Sequence, residues 1–318
     1  MHQVPARRIP QVDRRHETSA NQGVQVNSPA TTRPFSPKID RNYPKPKLKL
    51  PPGACDTHFH FIGPQRQFPL RPNHVFSHLE FEDTPIDDWL TMQAALGLSR
   101  GLHVQSMMYE SNYEIALHAQ CRLPDRVRSV VVPWTGITDC ELDILTKAGV
   151  VGYRVAWRLE KTIDQAMIAR VHEHGWGIHY LVKSEEQDDW KPTILKSPGK
   201  FVLEHMGGVD PTEGIDGAGF KFVLQCLDTG RCWVKLSPRI SKQDDFPFSD
   251  TDPLVKKLVA HAPTRLLWGS DWPHPQYFKP IPNDVKLLDM MLDWVPDEHT
   301  RKLIFVDNPA EAFGFPAV

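Results

Sequence analysis

Two histidines one residue apart could act together on a single water molecule, metal ion or substrate oxygen. His58 and His60 lie within residues 53–64, which are typical of a short buried strand. Because side chains alternate between the two faces of a strand, Asp56, His58 and His60 are expected to share one face. Ionisable groups on a buried face are costly unless a site uses them. The pair therefore indicates a catalytic or metal-binding site, the alternative being ordinary core histidines.

A carboxylate and a third histidine follow later apolar runs. Asp271 stands between the apolar run 265–268 and a proline-rich loop, and His205 ends another run just before two glycines. A carboxylate in that position could take a proton from an attacking water molecule. The alternative for Asp271 is a residue that caps a turn.

An arginine is predicted to point into the fold from residues 150–156. The large side chains of Tyr153 and Val155 would face outward, and this alternation turns Arg154 inward beside small residues. A buried guanidinium is a good partner for a substrate carboxylate, because it binds the two oxygens in parallel. The alternative is a structural ion pair with an acid inside the fold.

Three weaker candidates stand at or near the ends of other runs. Gln105 could hold a substrate oxygen or merely end a strand, and His179 points inward by the same packing rule as Arg154. Arg239 offers a second cation, or it is a solvated loop residue.

The elements that must position these residues repeat along the chain. From residue 53 onward, short apolar runs alternate with helical patterns, which indicates strand–helix units and a parallel sheet. Eight such units over about 265 residues match a (β/α)₈ TIM barrel, in which all strand ends meet at one mouth. A doubly wound sheet is the alternative, but the Gly-x-Gly-x-x-Gly turn that often follows its first strand is missing from the sequence.

Composition narrows the class of protein further. The 318 residues carry a formal charge of −2, which argues against nucleic-acid partners, and no apolar run is long enough to span a membrane. Five cysteines without a Cys-x-x-Cys pair predict reduced thiols and a cytoplasmic protein. Residues 1–50 are basic and poor in apolar periodicity, so we predict a flexible or surface-draped arm before a barrel at 51–318.

Four motifs together resemble a known family. They are Asp-Thr-His-Phe-His at 56–60, Glu-His-Met-Gly at 204–207, Gly-Ser-Asp-Trp-Pro-His at 269–274 and Asp-Asn-Pro-Ala at 307–310. In order and spacing they resemble the amidohydrolase-related TIM-barrel superfamily, and within it the lactonase branch that includes 2-pyrone-4,6-dicarboxylate hydrolase. The resemblance spans roughly residues 53–318. It implies a distorted barrel that hydrolyses a lactone, a cyclic carboxylic ester, with an activated water molecule.

The resemblance also implies roles for individual residues. Asp271 would be the base that deprotonates the water, while histidines polarise the lactone carbonyl and stabilise the oxyanion. The predicted catalytic residues are Asp271, His58, His60 and His205. The predicted substrate-binding residues are Arg154, Arg239, Gln105, His179 and His274.

The resemblance leaves the question of a metal open. This lactonase branch includes members that work without metal, so we expect that no cofactor is required. The alternative is one divalent ion, most suitably zinc, held by His58, His60, His179 and Asp271.

Two other functions are compatible with the pattern. One is a metal-dependent nonoxidative decarboxylase of an aromatic acid, from the same superfamily. The other is a barrel that binds ligands without catalysis. The expected partner of the enzyme is a small anionic lactone, and the N-terminal arm could join copies of the chain into an oligomer.

Overall fold

The computed structural model describes residues 34–36, 38–156, 159, 163–183, 187–275 and 281–316. Eight parallel strands form one sheet in the order β1 to β8, and helices connect them. This confirms the predicted (β/α)₈ barrel. The strands are β1 (Cys55–Phe59), β2 (Arg100–Val104), β3 (Val127–Val131), β4 (Val150–Ala156), β5 (Gly177–Leu181), β6 (Phe201–Leu203), β7 (Cys232–Leu236) and β8 (Leu266–Trp268).

The helices follow the strands in sequence and cover the outside of the sheet. They are α1 (Ile86–Leu96), α2 (Glu114–Arg122), α3 (Asp139–Lys147), α4 (Gln165–Glu173), α5 (Gln187–Lys196), α6 (Ala218–Asp228), α7 (Asp252–His261), α8 (Asp284–Asp289), α9 (Met291–Trp294), α10 (Glu298–Lys302) and α11 (Asn308–Phe313). Short 3₁₀ turns cover Glu204–Gly208, Pro211–Asp216, Pro238–Ile240, Ser249–Thr251 and Pro263–Arg265, and a π turn covers Leu303–Asp307. Among the described residues, no helix combines the length and the apolar character needed to cross a bilayer.

Local sequence explains where these helices begin and end. In α1, Trp89, Met92 and Leu96 recur at helical spacing and are buried, and the helix ends at Gly97 in the left-handed conformation that glycine adopts readily. Helix α3 begins with a capping box, in which Thr138 accepts a bond from the backbone of Glu141.

The floor of the barrel is apolar and the mouth is polar. One residue from each of several strands meets the C-terminal segment in a cluster that seals the bottom: Cys55, Leu102, Val130, Val202, Trp233, Leu267, Phe313 and Phe315. Ionisable side chains lie above this layer, at the carboxyl ends of the strands. This division is typical of TIM-barrel enzymes, whose sites lie at that end.

The barrel closes between β1 and β8 through a seam of individual hydrogen bonds. Asp271 N donates to His58 O at 2.8 Å, and His60 N donates to Trp272 O at 2.7 Å. The Asp56 carboxylate accepts bonds from the backbone and the side chain of Ser270, at 2.9 and 2.7 Å. Asp56 therefore links β1 to the segment that follows β8. It does not share a face with His58 and His60 as predicted, because the register of β1 shifts between Asp56 and Phe59.

The N-terminal arm is described only in part. Residues 1–33 and 37 lie outside the described residues. Residues 38–50 lie against the barrel, where Ile39 and Leu48 are buried. The predicted boundary between arm and barrel near residue 50 stays a prediction.

Candidate active site

The two histidines of the first strand meet at the mouth. His58 and His60 are buried, and their Nε2 atoms lie 3.3 Å apart. His60 Nδ1 lies 2.5 Å from Val104 O, and a carbonyl oxygen can only accept. His60 therefore carries its proton on Nδ1 and presents the lone pair of Nε2 to the site.

Asp271 completes the cluster from the opposite side of the seam. Its Oδ1 atom lies 3.5 Å from His58 Nε2, 3.4 Å from His60 Nε2 and 3.8 Å from His205 Nε2. The structure thus brings together all four residues predicted to be catalytic.

The backbone is strained at two of these four residues. Asp271 and His205 adopt positive φ angles of 65° and 48°, in the left-handed region that residues other than glycine rarely adopt. Such a conformation costs about 1–3 kcal/mol and persists where the surroundings over-determine it. Here it aims a carboxylate and an imidazole at the same point, which is the pattern expected of a functional site.

Electrostatics keep Asp271 ionised. Burial opposes its charge, but the Arg239 guanidinium outweighs burial and holds the pKa of the Asp271 carboxyl well below its ordinary value. Arg239 Nη1 donates to Asp271 Oδ2, and Nη2 donates to Pro275 O at 3.0 Å. Arg239 lies near the mouth as predicted, with about a quarter of its side chain exposed (26%). Its positive charge is nevertheless compensated by Asp271, with which it forms an ion pair.

The histidines are uncharged at neutral pH because the barrel excludes water from them. Burial lowers the pKa of His58 and His60 below the ordinary value and lowers that of His205 to about 3. Neutral imidazoles can ligate a metal ion or accept a hydrogen bond, whereas imidazolium groups can do neither.

Arg154 points into the barrel as its strand position predicts, but it meets a carboxylate of the protein. Its Nε and Nη2 atoms donate to Glu204 Oε2 at 3.0 and 2.8 Å, and both side chains are buried. Burial opposes the charge of Glu204, but Arg154 outweighs it and keeps the pKa of Glu204 well below its ordinary value. The ion pair is the structural alternative considered for this arginine. Its role in substrate binding stays a prediction.

A small cavity separates these groups from the outside. Its described walls combine the charged cluster with three apolar side chains and a serine: His60, Ser106, Met107, Arg154, Leu181, His205, Arg239, Asp271 and Pro275. The volume of this cavity, about 30 Å³, is enough for a water molecule beside the charged cluster, and its wall divides into a charged and an apolar side.

The three remaining predicted site residues take other positions. The Gln105 side chain donates to Glu110 O, away from the cluster. His179 points inward as predicted, but its Nδ1 atom lies 3.8 Å from Glu204 Oε1, and it belongs to neither group of metal-type ligands found among the described residues. His274 is buried behind the loop, where its Nε2 lies 3.0 Å from Asp284 Oδ1.

Sequence reasoning missed a buried lysine and a buried glutamate. Lys235 Nζ lies 3.2 Å from His58 Nδ1 and 3.7 Å from Glu204 Oε1. Burial lowers the pKa of Lys235 to about 8. The signal was present in strand β7, because Lys235 shares the inward face of that strand with Trp233 in the barrel floor.

The donor atoms have the spacing that a zinc ion requires. Zinc bonds of about 2.0–2.1 Å in a tetrahedron place neighbouring ligand atoms about 3.3–3.4 Å apart. The three distances among His58 Nε2, His60 Nε2 and Asp271 Oδ1 are 3.3, 3.5 and 3.4 Å. These residues form a metal-type group, and His58, Glu204 and His205 form a second.

Comparison with known proteins places the chain among lactone-processing enzymes. The model of the family described as Amidohydrolase (Amidohydro_2) matches residues 55–315. A 4-sulfomuconolactone hydrolase from Hydrogenophaga intermedia is 32% identical over 279 residues, which cover 84% of this chain and 91% of the relative. A 2-pyrone-4,6-dicarboxylate hydrolase from Comamonas testosteroni is 26% identical (86% and 93% covered), as is a D-galactarolactone isomerase from Agrobacterium fabrum (84% and 93%).

Solved structures agree on the fold. An apo structure from Agrobacterium tumefaciens superposes with a TM-score of 0.75 at 24% identity, covering 88% of this chain and all of the other. An amidohydrolase from Burkholderia multivorans, solved with bound zinc, has a TM-score of 0.62 at 18% identity and covers 83% and 99%.

The expectation that no cofactor is needed is wrong. It followed from the resemblance to a branch that includes metal-free members, whereas the cluster of His58, His60 and Asp271 suits a metal ion and a structural neighbour holds zinc. The fourth member of the predicted ligand set stays a prediction. His179 belongs to neither metal-type group of the described residues, and His205 belongs to the second group, with His58 and Glu204.

Proposed function

Because this chain belongs to the amidohydrolase family, we propose that it is a lactone hydrolase whose substrate carries an anionic group. The main support for this proposal is the cluster at the mouth, in which Asp271 Oδ1 faces the Nε2 atoms of three histidines. A carboxylate that is ionised at neutral pH and lies beside a cavity is suited to take the proton of an attacking water molecule.

Asp271 and Arg239 have separate roles in the proposed reaction. Asp271 accepts the proton through Oδ1, while Arg239 holds Oδ2 and so fixes the orientation of the carboxylate. A zinc ion held by His58, His60 and Asp271 would act as a Lewis acid on the lactone carbonyl and on bound water. Behind that group, His58 Nδ1 lies 3.2 Å from Lys235 Nζ, within hydrogen-bond distance, whereas Glu204 Oε1 at 3.9 Å is too far for a hydrogen bond.

Charge at the mouth supports an anionic substrate. Arg239 is the partly exposed cation of the cavity wall, and Met107 and Leu181 offer an apolar surface for a ring. A carboxylate or a sulfonate on the ring would face Arg239. Among the relatives the names include both a sulfonated and a dicarboxylated lactone, which supports the anionic class and leaves the individual compound open.

The test is a panel of lactones with and without acidic substituents, followed by proton release. Hydrolysis releases one proton for each ring opened, whereas isomerisation of a lactone releases none, so the readout also separates the activity named for the Agrobacterium fabrum relative. We expect acidic lactones to be opened and neutral analogues to react more slowly. Asp271→Asn should lower kcat by about 10²–10⁴-fold with KM nearly unchanged. Full activity in Asp271→Asn would refute the assignment of the base, and Asp216→Asn on the surface is the matched control.

Metal content is tested on the same preparation. We expect about one zinc ion per chain in protein purified without chelator, and its loss in His60→Ala. A fully active protein that contains no metal would refute this part of the proposal. We also place the protein in the cytoplasm, on the support that all five cysteines are free.

A further inference from the structure

The barrel closes at the seam that separates the candidate catalytic residues. His58 and His60 belong to the β1 side, and Asp271 belongs to the β8 side. The two backbone bonds Asp271 N to His58 O and His60 N to Trp272 O span the seam. The width of this seam therefore sets the distances between the carboxylate and the imidazoles.

Residues 38–50 of the arm cross the outside of this seam. On the β1 side, Ile39 N donates to Glu82 Oε1 at 3.0 Å and Arg41 Nη2 pairs with Asp88 Oδ2 at 2.9 Å. Glu82 precedes helix α1, and Asp88 lies in its first turn.

On the β8 side, the same arm bonds to the segment at the start of helix α8 and to its last residue. Asn283 Nδ2 donates to Asp40 Oδ2 and to Asn42 O, both at 2.8 Å. Leu48 N donates to Asp289 Oδ1 at 3.0 Å. A segment that is bonded to both sides of a seam resists its opening.

Between these two groups of bonds, Tyr43 reaches the residue next to Asp271. Trp272 Nε1 donates to the Tyr43 hydroxyl at 3.3 Å, and Trp272 is fully buried. Burial raises the pKa of Tyr43 to about 12, so the phenol is a neutral hydrogen-bond partner at neutral pH. An indole N–H at a buried position loses a partner if the hydroxyl is removed.

We propose that Tyr43 is a positioning residue, through which the arm fixes Trp272 and hence the carboxylate of Asp271 against the histidines. Residues 38–50 lie outside the segment 55–315 that the family model matches. The inference concerns the geometry of the seam. Only its effect on turnover rests on the proposed function.

The test compares Tyr43→Phe and Tyr43→Ala with Arg41→Met in the full chain. Arg41→Met is the matched control, because it removes an arm contact on the β1 side and leaves Trp272 untouched. The first readout is hydrogen exchange of the Asp271 and His60 amides, which span the seam and need no substrate. The second is the separation of kcat from KM on an acidic lactone.

We expect both Tyr43 variants to speed exchange at the two amides and to lower kcat about 3- to 30-fold with KM within twofold, since displacements near 1 Å can cost about 10²-fold. Arg41→Met should change neither readout by more than twofold. Unchanged exchange in Tyr43→Ala, or equal effects in Arg41→Met, would overturn the proposal.

If exchange accelerates but the wild type opens no lactone, the positioning role stands and the proposed function fails. An effect that depends on enzyme concentration would assign the arm to contacts between copies and overturn the proposal.

Discussion

Replacing Arg154 with methionine separates its two possible roles. Arg154 and Glu204 form an ion pair with 4% and 0% of their side chains exposed. Removing one partner of such a pair leaves a buried charge and costs about 3–5 kcal/mol of unfolding free energy. Lys235 Nζ lies 3.7 Å from the other oxygen of Glu204 and can compensate part of the loss, which favours the lower figure.

The assay is thermal and urea unfolding of the single and double variants. For a domain of this size, about 2–4 °C accompany each kcal/mol, so Arg154→Met should lower Tm by roughly 6–20 °C. The double variant Arg154→Met/Glu204→Gln removes both charges and should recover at least half of that loss. As a control, Arg170→Met breaks an exposed pair with Asp139 and should cost less than about 1 kcal/mol.

If Arg154 instead binds the substrate carboxylate, as the sequence predicts, Arg154→Met should change substrate binding and not the stability of the fold. A clamp exposed to the cavity would raise KM toward acidic lactones and leave Tm unchanged within about 2 °C, as expected when an interaction contributes to binding alone. That outcome, with no recovery in the double variant, would refute the reasoning from burial.

Two further predictions test burial and close packing. Burial lowers the pKa of His179 to about 4 and that of His205 to about 3, below the ordinary 6.5, so the unfolded chain binds protons that the folded chain does not. The unfolding free energy of the metal-free protein should therefore fall as pH drops from 6.5 toward 4, and a flat profile in urea titrations would contradict this. Gly269→Ala should cost about 1–3 kcal/mol in the same assay, because the added Cβ would lie 2.6 Å from His58 Cβ; unchanged stability would show that the seam can widen.

Local patterns were sufficient to predict the barrel. Each strand–helix unit is defined by neighbours in sequence, and the predicted range 150–156 matches strand β4 in the structure. The alternation that turned Arg154 inward holds for the same reason, since residues 152–156 of β4 pair with β5 residue by residue. In contrast, the partner of Arg154 lies fifty residues away, directly after another strand, where pattern alone cannot identify it.

Alternation fails where the backbone leaves the strand conformation. In a regular strand, Glu204 and His205 would point to opposite faces. The positive φ angles of His205 and Met206 bend the chain directly after β6, so that Glu204 and His205 both reach the interior. Asp271 is aimed in the same way at the end of β8. The positions of greatest chemical interest are therefore those at which a periodic pattern says least about direction.

The metal question shows why residue types alone did not settle the chemistry. A cluster of three histidines and a carboxylate fits both a metal-free hydrolase and a zinc site, because the same donors can bind water or a cation. Spacing in the sequence places His58 and His60 near each other but contains no information on their distance from Asp271, more than two hundred residues away. The distances of 3.3–3.5 Å fit the ligand spacing of a bound cation, although a hydrogen bond between His58 Nε2 and His60 Nε2 would also bring those two atoms to 3.3 Å. Arg239 neutralises only the far oxygen of Asp271, which leaves Oδ1 facing the imidazoles as the oxygen available to that cation.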